Sequence, residues 1–282
     1  MNQSDFIMHA VLAMAGSHLQ YLQPYEQKYQ RLELYHMSTS LRLFRQALLV
    51  PITPAAVNGL LSCGSLLLHN SWGSTEFRDT DADSELRLHE DSLFPLAAGL
   101  KRLIWETKHM LDPSFLDPLA VCGPAASVIQ YVKQTDLASQ LEEFLLCCYN
   151  SLKSPGAVPE DDAAYMSAAR SLIPVLAILQ LDLAGHDIDD IRSDVAGYLF
   201  SWPAKSEEEL WKLFHSNYDA AQMLFLYYYT AASRLLPEKC WWVQKRSKFF
   251  GELLLRQLDG KCNGGLRWAS DLHQAAEKVS DC

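Results

Sequence analysis

Asn217-Tyr218-Asp219-Ala220-Ala221-Gln222-Met223-Leu224-Phe225-Leu226-Tyr227-Tyr228-Tyr229-Thr230-Ala231-Ala232-Ser233-Arg234-Leu235-Leu236 is the stretch that decides the fold. It has the length and composition of a helix, and its apolar residues spread nearly all round the helical wheel. A helix of that kind is central and buried. Most of Met223, Phe225, Tyr227, Tyr228 and Tyr229 must therefore be core, and other helices must surround them.

Working outward, the hydrophobic period is helical almost everywhere. Ser4 starts a helix through Phe6, Ala10, Met14 and Leu19 that Pro24 ends. A long helix follows over about 26–50, with Tyr29, Leu32, Tyr35, Leu41, Phe44 and Leu48 apolar. Thr53 then Pro54 is a helix-start signal, because Thr caps free amides and Pro suits the first turn. That helix runs to about Asn70, and polar residues 71–90 read as a loop. Further helices are expected over 93–111, 136–152, 163–183, 188–200, 207–214 and 241–258, with a less marked one over 271–279. Residues 112–124 and 154–159 read as spacers, and Pro174 should kink its helix. Strand alternation with hairpin turns is missing. These readings predict an all-α, single-domain orthogonal or antiparallel bundle of about ten helices over residues 1–282.

The bulk numbers agree with an ordered chain: 49% hydrophobic, 21% charged, 282 residues. Acidic residues outnumber basic ones 34 to 24, for a formal charge of −10. Binding of DNA phosphates requires clustered Lys and Arg, so direct nucleic-acid binding is not expected. The seven cysteines include no C-x-x-C pair, and most sit in apolar runs. With no secretory leader and no uninterrupted apolar run of about 20 residues, an intracellular, reduced protein without a membrane span is expected.

The run Met8-His9-Ala10-Val11-Leu12-Ala13-Met14-Ala15-Gly16-Ser17-His18-Leu19 resembles the opening helix of the regulatory domain of fungal zinc-cluster transcription factors of the sterol-uptake-control type. The Tyr-rich helix from Tyr29 to Arg45, the triplet Ser201-Trp202-Pro203, the run Ala220–Tyr229 and the pair Trp241-Trp242 follow in that family's order. The resemblance spans about Phe6 to Leu258 and rests on the order of several weak elements. It implies an all-helical bundle with an internal hydrophobic pocket for a ligand such as a sterol, coupled to control of transcription. The six-cysteine zinc cluster of those factors has no counterpart here, so no thiolate set for two zinc ions exists. The chain then reads as a regulatory half alone, or as such a half recruited for catalysis.

Candidate chemistry is sparse. Asp79, Asp81, Asp83 and Glu90 follow calcium-loop spacing, but Ser84 stands where the sharp turn wants Gly, so a solvated acidic loop is the simpler reading. Asp189, Asp190 and Asp194 form D-D-x-x-x-D, as magnesium-binding carboxylates can. They open a short helix, where the helix dipole favours acids, and the capping reading is preferred. No metal site and no cofactor are expected. His9 and His18 share a helix nine residues apart, off one face, and no H-E-x-x-H occurs. Met8, Met14, His18, Trp105, Met223, Tyr228 and Trp242 are the candidate ligand-binding residues: apolar or aromatic walls, with His18 able to hydrogen-bond a ligand hydroxyl.

Binding of a sterol- or terpenoid-like molecule is the leading reading. The alternative is a metal- and cofactor-independent cyclase or isomerase, pericyclase-like, of a fungal terpenoid or polyketide pathway, which folds its substrate toward reaction. A third is a scaffold or corepressor-binding module that pairs with intact members of the family through helices; a homo-oligomer is the other pairing considered.

Overall fold

The computed structural model describes residues 4–73, 93–111, 122–133, 135–153, 159–206, 208–236, 240–259, 261 and 267–268. Among these the chain is all-α, with eleven α-helices and no strand. The helices group into two compact units.

The first unit holds α1 (Ser4–Leu22), α2 (Gln27–Leu48), α3 (Pro54–Gly73) and α4 (Leu93–Thr107), the last followed by a 3₁₀ turn over Lys108–Met110. A four-residue turn at Pro24 joins α1 to α2, fixed where the Gln20 amide donates to the Pro24 carbonyl at 3.0 Å. The short connection makes the two helices an antiparallel hairpin. They approach closely at Gly16, where an added Cβ would stand 3.0 Å from the Glu33 backbone nitrogen. Phe6 and Ala10 of α1 join Val57, Leu60 and Leu67 of α3 in the core. The buried Ser40 hydroxyl donates to the Phe6 carbonyl at 2.9 Å, tying α2 to the start of α1. Pro54 is the first helical residue of α3, as expected, and the Thr53 carbonyl accepts from Ala56 and Val57.

The second unit holds α5 (Cys122–Val132), α6 (Leu137–Leu152), α7 (Pro159–Leu183), α8 (Arg192–Lys205), α9 (Glu208–His215), α10 (Asp219–Leu235) and α11 (Trp241–Leu258). The stretch that decided the fold is α10, and it is buried on every side, with Met223, Phe225, Tyr227, Tyr228 and Tyr229 all at 0% exposure. Its rings pack in specific pairs: Phe225 stacks on Phe214 of α9 at 4.0 Å, Tyr228 on Trp202 of α8 at 4.5 Å, Tyr229 on Phe250 of α11 at 5.0 Å. Such pairs add about 0.5–1.5 kcal/mol each beyond area burial.

Two helix ends close by the same device. Gly185 (φ 84°) and Asn217 (φ 57°) adopt the left-handed conformation just after α7 and α9. The following amides, His186 and Tyr218, reach back to the carbonyls of Leu181 and Leu213, each at 3.0 Å.

The helix α7 runs unbroken through Pro174, with side chains of α8 bonded to the turn before it. The Tyr198 hydroxyl donates to the Ser171 carbonyl at 2.7 Å, and the Trp202 indole N–H reaches the Ser171 hydroxyl at 3.0 Å. Glu160–Leu183 is the one span among the described residues long and apolar enough to cross a membrane, and 67% of its most apolar window is buried. α5 falls partly in a stretch read from sequence as a spacer; Pro124 belongs to its first turn, where proline is tolerated. The helix expected over 271–279 lies outside the described residues.

Candidate ligand-binding site

One recess in the second unit has the form of a small-molecule site. On α6, Gln140 and Phe144 stand one turn apart on a common face, with Leu141 between them in sequence. Gln180 projects from the last turns of α7, and Trp268 completes the wall. The recess is about half open to solvent, with a volume of about 230 Å³.

Three rings organise this corner. Trp268 meets Phe144 edge-on at 5.2 Å and Tyr227 edge-on at 4.9 Å, and Phe144 lies 6.2 Å from Tyr227. Tyr227 is wholly buried in α10, and its hydroxyl lies 3.7 Å from the Cys148 sulfur. The rings are thus anchored to the core helix. The lining Gln140, Leu141, Phe144, Gln180 and Trp268 carries no titratable side chain. What it offers is apolar surface, ring edges and two side-chain amides, each able to donate and to accept.

The seven residues singled out in the sequence fall elsewhere. Met223 and Tyr228 are fully buried in α10, where the Tyr228 hydroxyl donates to the Leu199 carbonyl at 3.1 Å. Trp242 is half-buried and stacks on Phe200 at 6.5 Å. In the first unit Met8 is 52% and Trp105 70% exposed, the latter with the Lys108 ammonium 3.4 Å over its ring. Met14 is half-buried and His18 exposed. None of the seven lines the recess. Sequence reasoning missed its residues; the one local oddity is Gln180, a glutamine set in the apolar run Ile178-Leu179-Gln180-Leu181.

The other constellations serve the fold. Asp189 pairs with Arg192 at 3.0 Å, and Asp194 accepts a hydrogen bond from Ser127 of α5, so two of the D-D-x-x-x-D carboxylates are engaged by other side chains. Asp162 at the start of α7 accepts from the Tyr149 hydroxyl and from the Lys153 ammonium, the latter at 2.5 Å. Burial, then the Asp162 carboxylate beside it, pushes the Tyr149 phenol above its ordinary range, while the hydrogen bonds from Lys153 and Tyr149 lower Asp162. That cluster staples α6 to α7. On α1 and α2, His9 Nδ1 and His36 Nδ1 lie 2.7 Å apart. Burial, and then the His9 charge, lowers the His36 pKa. The acidic stretch read for calcium spacing lies outside the described residues.

Comparison with protein-family models, with curated proteins and with solved structures gives no match.

Proposed function

We propose that this chain binds a hydrophobic small molecule, and that the second unit holds it at the recess between α6 and α7. The observation that carries the reading is the union of Leu141, Phe144 and Trp268 with two glutamine amides around about 230 Å³. Apolar walls with a few orienting polar groups are the ordinary make-up of ligand sites. The resemblance of the helix order to sterol-sensing regulatory domains supports the same class of ligand. Typical ligand cavities run to about 300–1,000 Å³, so the recess takes a ring system or one end of a sterol- or terpenoid-like molecule. The Gln140 and Gln180 amides would meet a hydroxyl or carbonyl on that end. Binding linked to regulation is the role this reading gives the protein.

The test is equilibrium titration with ergosterol and with the neutral two-ring probe N-phenyl-1-naphthylamine, each recovered afterwards and analysed. Saturable binding of one equivalent with the compound returned unchanged supports the proposal. Absence of saturable binding, or recovery of an altered compound, goes against it.

A further inference from the structure

The helix α1 presents two apolar faces, and the fold uses only one. At about 100° per residue, the buried Phe6, Ala10, Ala13, Ser17 and Gln20 occupy one side of the helix. Val11, Leu22, Ala15, Met8, Leu19 and Leu12 fall in an arc of about 100° on the opposite side. These six are exposed: Leu22 58%, Met8 52%, Val11 50%. No charged side chain interrupts the arc. A solvated helix face carries Lys, Glu and Gln; a face empty of charge has the composition of an interface core.

The neighbouring α2 also exposes Tyr35, at 61% with its ring 6.3 Å from His9 of α1, and Leu32, at 45% one turn before it. Weighted by exposure, these eight side chains leave on the order of 700 Å² of mainly apolar surface, near the ~800 Å² each partner gives a standard interface. Lone apolar patches on monomers rarely exceed about 300–600 Å². Packing on α3 through Phe6 and Ala10, and on α2 at Gly16, commits the inner side of α1, so the outer face is left for a partner.

We infer that this outer face of α1 is the contact through which two copies of the chain pair about a two-fold axis, with α1 antiparallel to α1 of the partner. The spacing is what an isologous contact requires, the same patch meeting itself. Turned end for end about Ala15, Met8 faces Leu22, Val11 faces Leu19, Leu12 faces His18, and Ala15 faces its own copy. The smallest side chain of the arc thus stands at the crossing point, where two backbones come nearest. An antiparallel pair also sets no like charges opposite one another.

Sedimentation equilibrium on the full chain at about 10–100 µM tests this. The expected species is a dimer. Val11→Lys combined with Leu19→Lys places like charges opposite across the axis and should weaken association at least ~100-fold, with the helical circular dichroism unchanged. Val11→Lys combined with Leu19→Glu places opposite charges there and should restore the dimer. A wild-type monomer at about 100 µM overturns the inference, as does a dimer that survives the two lysines or one that the Lys/Glu pair does not restore. A monomer that binds phosphatidylcholine–phosphatidylserine vesicles through this face also overturns it, in favour of a membrane surface.

Discussion

Trp268 stands edge-on to Phe144 at 5.2 Å, so the wall of the recess and the exposed side of α6 are held by one ring contact. Phe144 in turn lies 6.2 Å from Tyr227 on the central helix. The recess therefore rests on the most deeply buried element of the second unit, and its rings cannot shift without disturbing α10. Rigid support of this kind keeps the ordering cost of binding low.

Phe144→Ala removes a wall ring and opens the contact with Trp268. Binding of N-phenyl-1-naphthylamine should weaken by about 10-fold or more, while thermal stability falls only modestly because Phe144 is half-buried. Fluorescence titration beside a thermal melt separates the two effects.

Gly16→Ala and Gly99→Ala form a matched pair. The first places a Cβ 3.0 Å from the Glu33 backbone nitrogen, and backbone cannot yield as a side-chain tip can. It should destabilise by about 1–3 kcal/mol. The second meets nothing within 4 Å in a helix interior and should be neutral or stabilise by about 0.5–1 kcal/mol. Denaturant unfolding of both variants reads the sign directly.

Trp202→Phe keeps the stack on Tyr228 but loses the indole hydrogen bonds to the Ser171 hydroxyl at 3.0 Å and the Ala168 carbonyl at 3.3 Å. Those bonds brace α7 beside Pro174. The expected loss is about 1–3 kcal/mol, a fall of several degrees in Tm.

Two histidines make the stability of the first unit sensitive to acid. Burial lowers His69, and burial followed by the His9 charge lowers His36. A histidine whose folded pKa lies below its unfolded value of 6.5 binds protons preferentially when unfolded. Its stabilising contribution is therefore complete above about pH 6.5 and is lost as pH falls below that value. Melting curves from pH 8 to 5 should show this loss, and His36→Gln should reduce the slope.

Thiol reactivity should divide by burial. Cys63 is fully buried and burial pushes its thiol up to about 11, whereas Cys147 is exposed. Iodoacetamide at about pH 8 should modify Cys147 in the native protein and leave Cys63 intact, as peptide mass mapping would show.

Much of this fold was legible in the sequence. The all-round apolar composition of Met223–Tyr229 announced a buried helix, and periodicity set α11 at Trp241–Leu258 to the residue. The helix α5 was hidden because Gly123 and Pro124 read as breakers, although proline in a first turn is compatible with a helix. The recess was less legible. Its residues come from α6, from the end of α7 and from Trp268, and which turns of two helices face each other is a packing outcome that no local pattern encodes. Met8 and Trp105 were conspicuous as large apolar side chains, yet both lie exposed in the first unit. The stripe Met8–Leu22 shows the same limit: periodicity marks a residue as apolar without saying which of two opposite faces the fold will cover.

The most direct measurement is calorimetric titration of the full chain with ergosterol, repeated on Gln140→Trp, which fills the recess from an exposed position on its rim. The account predicts one equivalent bound by the wild-type protein and at least ~10-fold weaker binding by the variant, with the melting temperature nearly unchanged. Equal binding by both proteins would place the ligand elsewhere and contradict it.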